Sequence, residues 1–269
     1  MSLIAANGRD VARPEYTLHV EEIGDDVPVL VIHPALSSFA MLRAGGALPI
    51  PDAIAARGCR VIGFDLAGHG QSDPLPEFPE DFLERSVADA VAVLESSGIG
   101  AAAAAIGVGF GALVALRLAA LERRLVRCVI ADSLPGVLVS TPLEPWPSME
   151  RADSAAGHDL LPSWLRYAGD LGGLPQLLPI PLRIEVPALL VACPADGPAE
   201  TLRMTELARA LGGARVVWAP AGGPPVCRTS PSFFVHEVGR FPPAHARRPA
   251  GPGGDDEGAL GDGRGRIDP

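Results

Sequence analysis

The sequence predicts an α/β fold in which a mostly parallel central sheet carries helices on both faces, and three observations lead there. Apolar, largely β-branched runs such as Val29 to Ile32 and Arg60 to Phe64 each end in a polar or glycine-rich turn. Runs of that kind suit strands buried on both faces, because no polar face is left for solvent. Between such runs, apolar residues recur at helical spacing, as at Leu83, Val87, Ala90, Val91 and Leu94, which places one helix face against a sheet. Finally, Ala104 to Ala115 reads A-A-I-G-V-G-F-G-A-L-V-A: a short strand, a Gly-x-Gly-x-Gly turn and an amphipathic helix in succession. With 269 residues, one domain with an insertion is the expected arrangement.

In chain order, residues Met1 to Pro14 give little signal. Leu18, Val20 and Ile23 partly alternate with polar residues, and Gly24-Asp25-Asp26 follows as a turn before Val27, so a hairpin at a sheet edge is expected. The strand Val29 to Ile32 runs into His33-Pro34-Ala35-Leu36-Ser37-Ser38, and the strand Arg60 to Phe64 into Asp65-Leu66-Ala67-Gly68-His69-Gly70-Gln71-Ser72-Asp73. After the helix around Leu83 to Leu94, Ser97-Gly98-Ile99-Gly100 delivers the chain to the Gly-rich turn, and Val126 to Ala131 forms the next strand, closing at Asp132-Ser133. Leu134 to Arg183 breaks the pattern with dense prolines and with Trp146, Trp164 and Tyr167. Val186 to Ala192 restores a buried strand and ends at Cys193-Pro194-Ala195-Asp196; a helix follows and stops at Gly212-Gly213. Arg215 to Trp218 is the last strand, with Pro220-Ala221-Gly222-Gly223-Pro224-Pro225 and a helix from Phe233 to Phe241 after it. Residues 243–269 contain almost no large apolar side chain and are expected to be disordered, since they cannot bury enough surface to offset their ordering entropy.

The net charge of −10 argues against nucleic acid or an anionic membrane as partner. Ser96 to Leu116 carries no charge. Its glycines and its strand-turn-helix pattern favour a buried core over a membrane span. Cys59, Cys128, Cys193 and Cys227 are widely spaced, which fits reduced thiols in a cytoplasmic protein. The six histidines show no metal-ligand spacing. The Gly-rich turn lacks the G-x-G-x-x-G pattern and the downstream acid of a dinucleotide site. No metal or cofactor is therefore expected.

Four stretches together resemble the α/β-hydrolase fold: the strand-His33-Pro34 loop, the D-x-x-G-H-G-x-S loop from Asp65 to Ser72, the Gly107-x-Gly109-x-Gly111 turn, and the strand leading to Asp196. The His-Pro form is similar to the 3-oxoadipate enol-lactonase branch. The resemblance implies a core over residues 1–133 and 184–242, a short cap over 134–183, and a disordered tail over 243–269. It also implies a nucleophile elbow, G-x-S-x-G, at 107–111. The central residue here is Gly109, so the nucleophile position is vacant. The family's triad acid falls on Asp196 and its histidine column on Gly223, a second vacancy.

By the same resemblance, Ala35 or Leu36 and the residue after the elbow, Phe110, supply oxyanion-hole N–H groups, and Trp146 and Trp164 of the cap line a pocket or pack the cap onto the core. Asp65, His69 and Ser72 read as scaffold, His236 as a partly exposed helix residue, and His33 either as a strand-end residue bonding backbone or as a base. Three functions stay open. The first is a degenerate-triad protein that binds a small carbonyl- or carboxylate-containing ligand without hydrolysing it. The second is a lyase, cyclase or isomerase with no covalent step, using His33 or Asp196. The third is an esterase or enol-lactone hydrolase whose reactive groups have moved to Ser37, Ser38 or Cys227.

Overall fold

The computed structural model describes residues 3–44, 48–102, 104–134, 162–164, 166–167, 184–193, 197–220 and 222–241, and the side chains of 197–203 are not among the described features. Asp196, Trp146, most of the expected cap and the expected disordered tail 243–269 lie outside the described residues.

Eight strands form one sheet in the order β1-β2-β4-β3-β5-β6-β7-β8. They are β1 (Ala6–Ala12), β2 (Thr17–Ile23), β3 (Val27–Ile32), β4 (Cys59–Phe64), β5 (Ala104–Val108), β6 (Val129–Asp132), β7 (Ala188–Ala192) and β8 (Arg215–Trp218). β2 is antiparallel to β1 and to β4, and β4 to β8 are mutually parallel through β3. The helices are α1 (Phe39–Ala44), α2 (Ile50–Ala55), α3 (Phe82–Ser96), α4 (Phe110–Leu121), α5 (Gly197–Ala210), α6 (Val226–Thr229) and α7 (Pro231–Arg240).

The expected edge hairpin is present with different members. β2 pairs with β1, a strand absent from the sequence reading, and the Gly24-Asp25-Asp26 turn leads to β3, which is separated from β2 by β4. β1 escaped notice because only Val11 of its seven residues is buried, so it has no apolar alternation to read. The ionic contacts that hold this edge come from polar side chains: Arg43 bonds Asp52 and Glu21, Arg60 and Arg9 both bond Glu22, and Arg13 and Tyr16 converge on the buried Asp89.

Alternation along the parallel strands sends their side chains to two cores. On one face Leu30, Ile32, Ile62 and Leu190 meet α3, α4 and the later part of α5 through Phe82, Leu94, Leu113 and Leu207. On the other, Val29, Val31, Ile106 and Val191 meet α2 and α7 through Ile54, Phe234 and Val235. The uncharged run from Ser96 to Leu116 spans the end of α3, β5 and most of α4, and Ile99 to Leu116 contributes heavily to the cores. No helix among the described residues is long and apolar enough to cross a membrane.

Candidate active site

The C-terminal ends of β3, β5, β6 and β7 bring the site together. At the end of β5, Gly109 has φ 56° and ψ −121°, a left-handed geometry that glycine adopts at little cost and that strains other residues. The flanking glycines are required by packing: a Cβ on Gly107 would strike the carbonyl of Gly111, and one on Gly111 would strike the carbonyl of Ile32. The Gly109 N–H donates to the carbonyl oxygen of Asp132 at 2.9 Å. The turn is therefore tied to β6 as well as to β5, and Phe110 opens α4 with its N–H unpaired among the described residues, as expected for the first turn of a helix.

Two loops flank the turn, and buried histidines lock them together. His33, wholly buried, accepts the Leu66 N–H at Nε2 (2.9 Å) and donates from Nδ1 to the Pro34 carbonyl (2.7 Å). His69 accepts the Leu36 N–H at Nε2 (2.9 Å) and contacts the Ala67 carbonyl through Nδ1 (3.0 Å). Accepting at Nε2 places the proton on Nδ1 in each ring. Burial lowers both pKa values, to about 4 for His33 and, with the neighbouring His33 adding to the effect, to about 3 for His69. Both rings are neutral, and both nitrogens of each are committed to backbone.

This arrangement bears on two pairs of alternatives that the sequence left open. His33 has no free nitrogen with which to take a substrate proton, so it is a strand-end residue and not a base. Leu36, whose φ is 57°, cannot supply an oxyanion N–H, because that N–H is spent on His69. Of the two candidates on this loop, Ala35 keeps an N–H with no partner among the described residues. The scaffold reading of the 65–72 loop has a definite form. Asp65 accepts the N–H groups of Phe39 (2.7 Å) and Gln71 (2.8 Å), and Ser72 donates its hydroxyl to the Asp65 carbonyl (2.6 Å).

The residue at the histidine column, Gly223, has nothing within 4 Å of where a Cβ would sit. The loop around it is held in place all the same. Cys193, at the end of β7, donates its thiol to the Gly222 carbonyl, and Thr229 donates its hydroxyl to the Gly223 carbonyl. Asp132, wholly buried at the end of β6, accepts the Cys227 N–H (2.8 Å), the Val226 N–H (3.1 Å) and the Ser133 hydroxyl (2.6 Å). Burial raises the Asp132 pKa despite these bonds. Burial, with the adjacent Asp132 carboxyl, raises the Cys227 thiol well above its usual range, which disfavours the thiolate a nucleophile needs. The sequence reading missed Asp132 and the left-handed Ser133 (φ 52°). A buried acid closing a strand was the available signal.

Above the turn, Phe110 stacks on Phe82 (ring centroids 5.2 Å apart) and meets Trp164 edge-on (5.4 Å). Trp164 is 7% exposed and Tyr167 5% exposed. Their rings pack with Phe78, while Ser163 accepts the Phe78 N–H and Tyr167 the Leu83 N–H. Trp164 therefore pins the described residues 162–164 and 166–167 onto α3 and α4, and presents little surface to a ligand. Ser38 accepts the Met41 N–H, and His236 is exposed, 3.4 Å from Arg240. Among the described residues no imidazole bonds a hydroxyl or a thiol, and no group of three or more His, Cys, Asp or Glu side chains could hold a metal ion.

A family model described as alpha/beta hydrolase fold matches residues 27–177. No curated protein matches the sequence. Among solved structures, the chain is similar to an epoxide hydrolase from Vigna radiata, with TM-score 0.68 and 16% identity over 88% of this chain and 97% of that one. An esterase from Pyrococcus furiosus gives TM-score 0.67 and 18% identity over 88% and 90%. The thioesterase domain from the curacin biosynthetic pathway gives TM-score 0.62 and 21% identity over 87% and 99%. At these identities the likeness is one of fold.

Proposed function

The chain belongs to the α/β-hydrolase fold family, and from that premise we propose that it binds a small carbonyl- or carboxylate-containing ligand without serine-type hydrolysis. The observation that carries the reading is a paired loss. Gly109 occupies the left-handed turn where the family's nucleophile stands, and Gly223 leaves open space where its histidine would project. Serine hydrolysis needs a hydroxyl to attack and an imidazole to take its proton. The buried imidazoles among the described residues, His33 and His69, are neutral and fully bonded to backbone.

The remaining chemistry is that of a binding site. Among the described residues the N–H groups of Ala35 and Phe110 have no partner, and the N-terminal end of the twelve-residue helix α4 adds a partial positive charge. Together they suit a carbonyl or carboxylate oxygen. The aromatic cluster around Phe110 makes the surroundings apolar, which strengthens such bonds by excluding water. The non-covalent lyase or isomerase reading loses His33, one of its two candidate groups, and the relocated-hydrolase reading loses Cys227.

The test is to treat the purified protein with a fluorophosphonate probe and with activated esters and enol-lactones, and to follow the Ala35 and Phe110 amide signals as small carboxylates are added. Absence of labelling, turnover no faster than background and saturable shifts of both amides are expected. Stoichiometric labelling, or turnover at serine-enzyme rates, would overturn the reading.

A further inference from the structure

A second cavity lies at the opposite end of the sheet, beneath the starting residues of β3, β4 and β5, between the sheet and the C-terminal ends of α2 and α7. Its volume is about 140 Å³. The inner wall is aliphatic: Val29, Ile54, Ala104, Ile106, Val235 and Val238, all buried. Exposed Arg57, Gly58 and Gly239 form the rim.

We propose that this cavity is a binding site for a compact, uncharged hydrocarbon group of up to about six carbon atoms, separate from the site at Gly109. Size sets the upper limit, since an apolar cavity of roughly 150 Å³ holds one benzene ring. The lining favours an apolar resident over water: a buried water needs 2 to 4 polar partners, and the inner wall is mostly aliphatic, with Cys59 and Phe241 beside it. Charge excludes an anionic ligand. α2 ends at Ala55 and α7 at Arg240, so two helix C-termini with their partial negative charge converge here. The one guanidinium on the rim, Arg57, donates to the Ala53 carbonyl at 2.7 Å, closing the α2 end. Gly239 lies on the rim, where an added Cβ would make an ordinary van der Waals contact with the Arg57 side chain at 3.6 Å, so a larger side chain there would narrow the opening.

The full chain, labelled with ¹³C at its Ile and Val methyls, would be titrated with benzene and separately equilibrated with xenon. Saturable shifts centred on Ile106, Val235 and Val238 are expected, together with a rise in the melting temperature. Both effects should disappear in Ala104→Leu, which fills the space from the sheet side. Should that variant fail to fold, Gly239→Leu closes the mouth from the rim and should abolish the same shifts. Shifts that grow linearly without saturating, that survive either folded variant, or that centre on Ile32 and Val108 at the Gly109 end of the sheet would overturn the proposal. The readout is independent of ligand binding at Ala35 and Phe110, so failure here leaves that reading standing.

Discussion

The rings of His33 and His69, 5.4 Å apart between centroids, each hold the other's loop: His33 accepts an N–H from the loop that carries His69, and His69 one from the loop that carries His33. The two strand-end loops beside the Gly109 turn are thereby clamped by a reciprocal pair of buried bonds.

Substituting His69 by Leu fills similar space but leaves the Leu36 N–H unsatisfied. Stability is expected to fall by about 1 to 3 kcal/mol, the desolvation cost of an orphaned buried donor, measured by urea unfolding. His69→Gln, which retains an acceptor, should recover part of the loss. Equal stability of the Leu variant and wild type would remove the clamp from the account.

Acid should weaken the fold through the same pair. In the unfolded chain these histidines titrate near 6.5, and in the folded protein near 4 and 3. Below 6.5 the unfolded state therefore binds more protons. Stability is full above pH 6.5 and declines as pH falls through the window down to about 4 for His33 and about 3 for His69. Urea midpoints collected from pH 7.5 to 4.5 should fall steadily below 6.5, and the slope should be shallower in His69→Gln. A flat profile would contradict neutral burial.

Restoring chemistry requires two changes at once. Gly109→Ser places a hydroxyl at φ 56° and should cost about 1 to 3 kcal/mol of stability, with ester hydrolysis remaining at background for lack of a base. Gly223→His enters open space and should alter stability by less than about 0.5 kcal/mol. The double variant should react with fluorophosphonate and hydrolyse p-nitrophenyl acetate above background, read by mass spectrometry and absorbance. Activity in the Ser single variant would point to a base elsewhere.

Asp132→Ala removes the acceptor for two N–H groups at the start of α6. A loss of about 2 to 3 kcal/mol is expected, with faster hydrogen exchange at Val226 and Cys227. Exchange rates unchanged from wild type would show that the loop is held by its other contacts.

Most of the parallel core was legible because β3, β5 and β7 are apolar on both faces and α3 is amphipathic; the expected amphipathic α4 is instead buried on nearly all sides, because it packs against the middle of the sheet. The hairpin partner β1 and the short helices α1, α2 and α6 were not legible, since their positions are set by tertiary ion pairs and by side-chain bonds from Asp65 and Asp132, which have no periodicity. At the site, the glycine at position 109 could be read directly, but the fate of individual N–H groups could not. Ala35 and Leu36 are equivalent as letters, and only the His69 bond separates them. Asp132 was visible as an acid closing a strand, yet its three partners lie on a neighbouring residue and on a segment more than 90 positions away.

The loop at Gly222 and Gly223 is anchored by Cys193 and Thr229, and the helix that follows it by Asp132, and each of these residues also serves ordinary architecture, at the end of a strand or within that short helix. Selection for a chain that merely folds is then enough to preserve the outline of a reaction centre. Descendants of such a protein can forfeit or regain chemistry through single side chains while the backbone around them stays where it was.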